Sequence, residues 1–280
     1  MGTLFLLAMA TLGGGVVVKP VANMYSSPSE DVDVVSQAVY SAPVEILEEK
    51  RPWLKIRTAD DYTGWTLSAN VRVLAAGEKP YGSSGRVAEV QSLFAHLYRE
   101  ASVTKHQPLL TVPFEAKLEI TAEPEADESR WLHARLPDGR QAWVQRGDIA
   151  FSPSKLSIPE MVEFAQRFLG LPYTWGGTSS YGYDCSGFTQ MLCRRRGILM
   201  PRDAGPQAHW DGLKPVEKAK LQAGDLLYFG SSTEKITHTG ICIGGGRFIH
   251  ATTNGRPMIQ ISKLDEARWT KLLVACRRPK

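Results

Sequence analysis

Cys185, His238 and His250 are residue types that together can carry out nucleophilic acyl transfer. A thiol needs a base to take its proton, and an imidazole base needs a second polar group to fix its tautomer and orientation. Cys185 stands where a helical pattern begins, with Phe188, Met191 and Leu192 as its apolar stripe and Gly197 as its stop. Amides at a helix N-terminus favour negative charge, so the position predicts a stabilised thiolate. The Cys185 backbone N–H shares that positive end and is the expected oxyanion donor. The two histidines flank Gly244-Gly245-Gly246. If these glycines form a three-residue loop, Ile243 pairs with Arg247 and His250 falls opposite Gly240. His238 and His250 then share one face as diagonal neighbours, about 7–8 Å apart. A one-residue slip would separate them.

Cys193, Cys242 and Cys276 read as buried small apolar residues. No C-x-x-C pair or closely spaced histidine pair accompanies them, so no structural zinc is expected, and the chemistry requires neither metal nor cofactor. His96, His106, His133 and His209 read as structural.

The elements that must position these groups lie in the last part of the chain. Pro159 opens a helical pattern through Met161, Val162, Ala165, Phe168 and Leu169, ended by Gly170 and Pro172. After the Cys185 helix, whose Arg194-Arg195-Arg196 reads as a solvated end, the pattern turns to strands at 225–229, 238–243 and 247–251. A helix-first, sheet-second order predicts an α+β domain.

Upstream the chain repeats itself. Trp53-Leu-Lys-Ile-Arg57 recurs as Trp131-Leu-His-Ala-Arg135, and Gly64-Trp65 as Ala142-Trp143, both 78 residues further on. Each copy reads as a strand, a polar turn and a second strand, with the four tryptophans expected in the core. With Pro20-Val-Ala-Asn-Met24 and Val34-Val-Ser-Gln37 ahead of the first copy, the pattern resembles a tandem of bacterial SH3-like barrels. The expected architecture is therefore multidomain: an apolar segment at 1–15, two small all-β SH3-like barrels at 16–77 and 82–151, and an α+β domain at 155–280. Gly77 to Gly85 reads as the linker between the barrels.

A chain of 280 residues with 43% hydrophobic and 22% charged residues has an ordinary globular balance, which argues against global disorder. A net charge of +4 does not make nucleic acid the default partner, and no apolar run reaches membrane-spanning length. Leu4 to Leu12 with Ala8-Met-Ala10 fits a signal remnant, implying export, or an apolar tail on a cytoplasmic protein.

In order along the chain stand Pro172-Tyr-Thr-Trp-Gly-Gly177, Asp184-Cys-Ser-Gly-Phe188, Gly224-Asp225, His238-Thr-Gly-Ile241 and Phe248-Ile-His-Ala251. This series resembles the NlpC family of cell-wall cysteine peptidases. The resemblance implies a papain-like fold, a catalytic triad of Cys185, His238 and His250, and Tyr173 beside the nucleophile as an oxyanion or substrate contact. Arg202-Asp203 and Gln207 fall where the family lines its cleft.

Two SH3-like domains ahead of such a domain are similar to the γ-D-glutamyl-L-diamino acid endopeptidase branch. That resemblance implies action on murein peptides with a free amino-terminal L-alanine, cutting the γ-D-glutamyl bond and releasing L-Ala-γ-D-Glu; a monomer is expected. It also implies that the first barrel walls the cleft and supplies a tyrosine and an acid for the ammonium. Tyr62 matches the tyrosine, and Asp33 is the expected acid, with Glu30 an alternative. A buried ammonium needs anionic and hydroxyl partners, and Asp184 and Ser186, flanking the nucleophile, are expected to add to them. The alternative is a lytic endopeptidase on intact wall, with the barrels as anchors.

Overall fold

The computed structural model describes residues 12–122 and 130–280, so most of the apolar N-terminal stretch lies outside the described residues. The first unit is one antiparallel sheet. Its strands are β1 (Gly13–Val17), β2 (Val21–Tyr25), β3 (Val34–Val39), β4 (Pro43–Lys50), β5 (Trp53–Arg57), β6 (Thr63–Leu67) and β7 (Val71–Val73). They run in the order β3-β2-β6-β5-β4-β1-β7. Val17 of β1, Ala38 of β3 and Val71 of β7 share one core with Met24, Leu54 and Ile56, so the sheet coils round upon itself. It begins at Gly13, three residues ahead of the expected start, because Gly13–Val16 pair with Pro43–Ile46.

The second unit holds β8 (Val87–Val90), β9 (Phe94–Leu97), β10 (Leu110–Pro113), β11 (Lys117–Ala122), β12 (Trp131–Arg135), β13 (Gln141–Gln145) and β14 (Ile149–Phe151). Five of these form a sheet ordered β13-β12-β11-β8-β14, and β9 pairs with β10. The internal repeat appears as a matched hairpin: Trp53↔Leu67, Lys55↔Trp65 and Arg57↔Thr63 recur as Trp131↔Gln145, His133↔Trp143 and Arg135↔Gln141.

Trp53 and Trp65 are buried as expected, but outside the main cluster of the first unit. Strand alternation sends Leu54 and Ile56 inward, and leaves Trp53 and Trp65 on the opposite face. There Trp53 meets Tyr25 edge-on and Lys50 covers Trp65. Trp131 and Trp143 are only half-buried.

The third unit comprises α1 (Ile158–Gln166), β15 (Thr178–Ser179), β16 (Gly182–Tyr183), α2 (Cys185–Arg195), α3 (Ala204–His209), β17 (Leu213–Pro215), β18 (Leu226–Ser232), β19 (Lys235–Gly244), β20 (Arg247–Thr252), β21 (Met258–Lys263), α4 (Ala267–Leu272) and β22 (Leu273–Pro279). Ser157 and Glu160 cap α1 reciprocally, fixing its start. Six strands form a sheet ordered β17-β22-β18-β19-β20-β21. Tyr228, Ile241 and Ile249 face α2 in the main core, with Phe188, Met191 and Leu192. Phe229, Cys242 and Phe248 project to the other face, where Trp269 of α4 closes a second core.

The units are joined by buried contacts. Phe114 of the second unit inserts into the core of the third, against Phe164 and Phe168. Arg194 pairs with Glu115 and Arg195 with Glu89, so the end of α2 is an interface and not a solvated terminus. The charge run at 194–196 suits the helix dipole, and it also meets the acids that the second unit brings to it.

Candidate active site

The site is assembled around the first turn of α2. Asp184 is its N-cap: Oδ1 accepts from the Gly187 backbone N–H at 2.7 Å. Glycine is required at 187, because a Cβ there would lie 2.2 Å from the Gly177 carbonyl oxygen. Gly177 is equally confined, by the Gly182 carbonyl at 2.3 Å. The Trp-Gly-Gly and Asp-Cys-Ser-Gly segments therefore stack backbone on backbone, which explains why their glycines come as a set.

Cys185 is the first residue of α2, so its amide has no partner within the helix. The thiol is buried and lies against the backbone N–H of Thr239, the residue after His238. Half-buried Tyr173 is near enough for the Cys185 charge to raise its phenol, after burial, above the ordinary value. Burial, and then the Asp184 carboxylate, push the Cys185 thiol up to about 12. Desolvation and a neighbouring anion therefore act against the helix N-terminus and favour the protonated thiol.

The histidines meet as the glycine turn requires, by a slightly different route. Ile241↔Ile249 and Cys242↔Phe248 hold the expected register, but a bulge pairs Gly244 with Arg247, leaving Gly245-Gly246 as the turn. The Gly240 backbone lies against His250, as the register demands. His238 Nε2 is 2.7 Å from His250 Nδ1, and His250 Nε2 is 3.0 Å from Ser262 Oγ. With both rings neutral, His238 Nε2–H donating to His250 Nδ1 and His250 Nε2–H donating to Ser262 leaves His238 Nδ1 as the free base. Burial, and then the Arg268 charge, lower His238 to about 3, and burial lowers His250 well below the ordinary imidazole value. These shifts all favour the uncharged forms of the thiol and the two rings. Ser262 carries no motif, and only the pairing of β20 with β21 brings it here.

Arg202 is the hub of the site. Only 2% exposed, it donates to both Asp184 oxygens (2.6 and 3.0 Å), to Ser186 Oγ (2.9 Å) and to Ser36 Oγ of the first unit (3.1 Å). Asp184 and Ser186, expected to help hold an ammonium, both accept from Arg202 within the protein. Gln207 is also internal, donating to the Pro201 and Ser186 carbonyls. Tyr62 reaches across from the first unit and donates to Asp203 Oδ2 at 3.1 Å. The acid joined to Tyr62 is thus Asp203 from α3's N-terminal edge. Asp33 and Glu30 are exposed, and the structure shows neither side chain joined to Tyr62. Burial and the Asp203 charge push the Tyr62 phenol up to about 12. Trp175 stands 69% exposed on the same loop as Tyr173.

A buried thiol at a helix tip thus lies against the backbone of the strand that carries His238, and His238 pairs with His250 on the same antiparallel sheet. Residues 170–278 match the NlpC/P60 family, and residues 20–72 match the bacterial SH3 domain. The chain is 30% identical to a γ-D-glutamyl-L-lysine dipeptidyl-peptidase of Bacillus cereus over 262 residues, covering 87% of this chain and 74% of that protein. It is 25% identical to dipeptidyl-peptidase 6 of Lysinibacillus sphaericus over 258 residues, covering 90% and 92% of the two chains. The crystal structure of an NlpC/P60 family protein from Bacillus cereus superposes with a TM-score of 0.82 at 24% identity, covering 95% of this chain and 99% of that one. The protein belongs to the NlpC/P60 family of cysteine peptidases.

Proposed function

We propose that the protein hydrolyses the γ-D-glutamyl bond to the diamino acid in murein peptides that carry a free amino-terminal L-alanine, releasing L-Ala-γ-D-Glu. The observation that carries this reading is the Tyr62–Asp203 pair. Asp203 is half-buried, it makes no ion pair among the described residues, and Tyr62 from another unit caps it. The nearby Arg202 directs its bonds at Asp184 instead. A desolvated carboxylate beside a phenol is the partner set that an ammonium needs. The names of the two relatives quoted above point to the same peptide chemistry.

In this mechanism His238 Nδ1 takes the Cys185 proton as sulfur attacks the γ-carbonyl carbon of D-glutamate. The oxyanion is received by the Cys185 amide and Tyr173. The imidazolium returns its proton to the departing amine and the C–N bond breaks, leaving a thioester. Water, deprotonated by His238, hydrolyses the thioester, and the proton returns to sulfur. His250 and Ser262 hold the His238 ring in the productive tautomer.

Acetylating the amino terminus of L-Ala-γ-D-Glu-L-Lys tests the reading. The capped peptide should lose at least a hundredfold in kcat/KM. Equal cleavage of capped and free peptide would instead favour an endopeptidase acting on intact wall.

A further inference from the structure

The geometry points to Trp269 as a positioning residue for His238, an inference that rests on the reading of His238 as the base. Trp269 lies on α4, a six-residue helix that shows no side-chain cap. It is 2% exposed, and its indole stacks on the His238 ring with centroids 5.3 Å apart and planes 27° apart. The same indole meets His250 edge-on, at 4.9 Å and 85°. Phe229 (5.1 Å) and Phe248 (5.4 Å) pack against it and hold its plane. Phe229 also approaches His238, at 5.6 Å.

Stacking on a fixed aromatic face removes rotation of the imidazole out of its plane and keeps Nε2 aligned on His250 Nδ1. It also covers one face of the base from water, which disfavours the charged ring at rest. Trp269 thus holds the orientation of the base and keeps it neutral at rest. The charged and titratable groups that act on His238 are His250 from β20 and Arg268 from α4, and the Cys185 thiol reaches the backbone N–H of the next residue, Thr239. Phe229 on β18 contributes none.

Trp269→Leu and Trp269→Phe separate this role from simple packing. The leucine variant should lose at least tenfold in kcat with KM within twofold, and the acid limb of its kcat–pH profile should move up towards the ordinary imidazole value. The phenylalanine variant, which keeps an aromatic face, should stay within threefold of the parent with its limb nearly in place. An unchanged profile and kcat in the leucine variant overturns the inference, as does a folded phenylalanine variant as impaired as the leucine one. A second measurement needs neither variant nor turnover: NMR titration of the His238 ring in the parent protein. Ring protons shifted upfield by the indole and a midpoint well below 6.5 support the stack, and unshifted protons with an ordinary midpoint overturn it. Full turnover in Cys185→Ala would defeat the peptidase reading itself, and the NMR result would still decide the role of Trp269.

Discussion

Cys185 shows how one environment can act against an expectation drawn from position alone. A helix N-terminus stabilises a thiolate by a few tenths to about 2 kcal/mol, and burial beside Asp184 acts in the opposite direction. A thiol held up to about 12 has little reactive thiolate at neutral pH. Alkylation of Cys185 by iodoacetamide, followed by mass spectrometry, should therefore be slow at pH 7 and rise roughly tenfold per pH unit to pH 9. A rate that levels off near neutrality would show a preformed thiolate. Asp203 makes the second prediction at this scale. Asp203→Asn keeps the shape and removes the charge, so KM for the free-amine tripeptide should rise at least tenfold, about 1.4 kcal/mol, with kcat little changed. Asp203 lies within the cleft-lining segment read from the sequence, but its pairing with Tyr62 spans 141 residues and has no local signature.

Elements explain why some of the site was legible and some was not. Cys185 is visible because a helix start has its own grammar, and the histidine pair because a period-two register counted from a glycine turn fixes which side chains share a face. Arg202 escapes such reading: its partners lie 18 residues away at Asp184 and 166 away at Ser36, and meet only after the first and third units dock. Trp269 is hidden for a related reason, since α4 is too short to show periodicity. The tryptophan repeat is legible as a hairpin, and its first pair is buried, but the second pair is only half-buried, because alternation and not size decides which residues turn inward. Asp184 joins both kinds of feature, as an N-cap and as the counter-ion of a buried guanidinium. Asp184→Ala should cost more than the roughly 1 kcal/mol of a lost cap, because it strands the Arg202 charge, for a total of about 3–5 kcal/mol. Urea denaturation of the variant measures this, and a loss near 1 kcal/mol would show that Arg202 finds other partners.

At the scale of the whole molecule, the first two units both dock on the third. Ser36, Gln37, Asp60 and Tyr62 of the first unit all bond to the third. The second unit contributes Phe114, and the acids that receive Arg194 and Arg195. Phe114→Ala removes an aromatic side chain shared between units, and should destabilise the protein by about 3–5 kcal/mol. A single shifted denaturation midpoint would show that the units unfold together, whereas a new early transition would show the second unit separating first.

The most direct test of the account is digestion of L-Ala-γ-D-Glu-L-Lys, followed by mass spectrometry, with the parent protein and with Cys185→Ala. The parent should release L-Ala-γ-D-Glu and free lysine as its only products, and the folded variant should release neither. Turnover by the variant, or cleavage at the L-Ala bond by the parent, would contradict a thiol at the tip of α2 acting on the γ-D-glutamyl carbonyl.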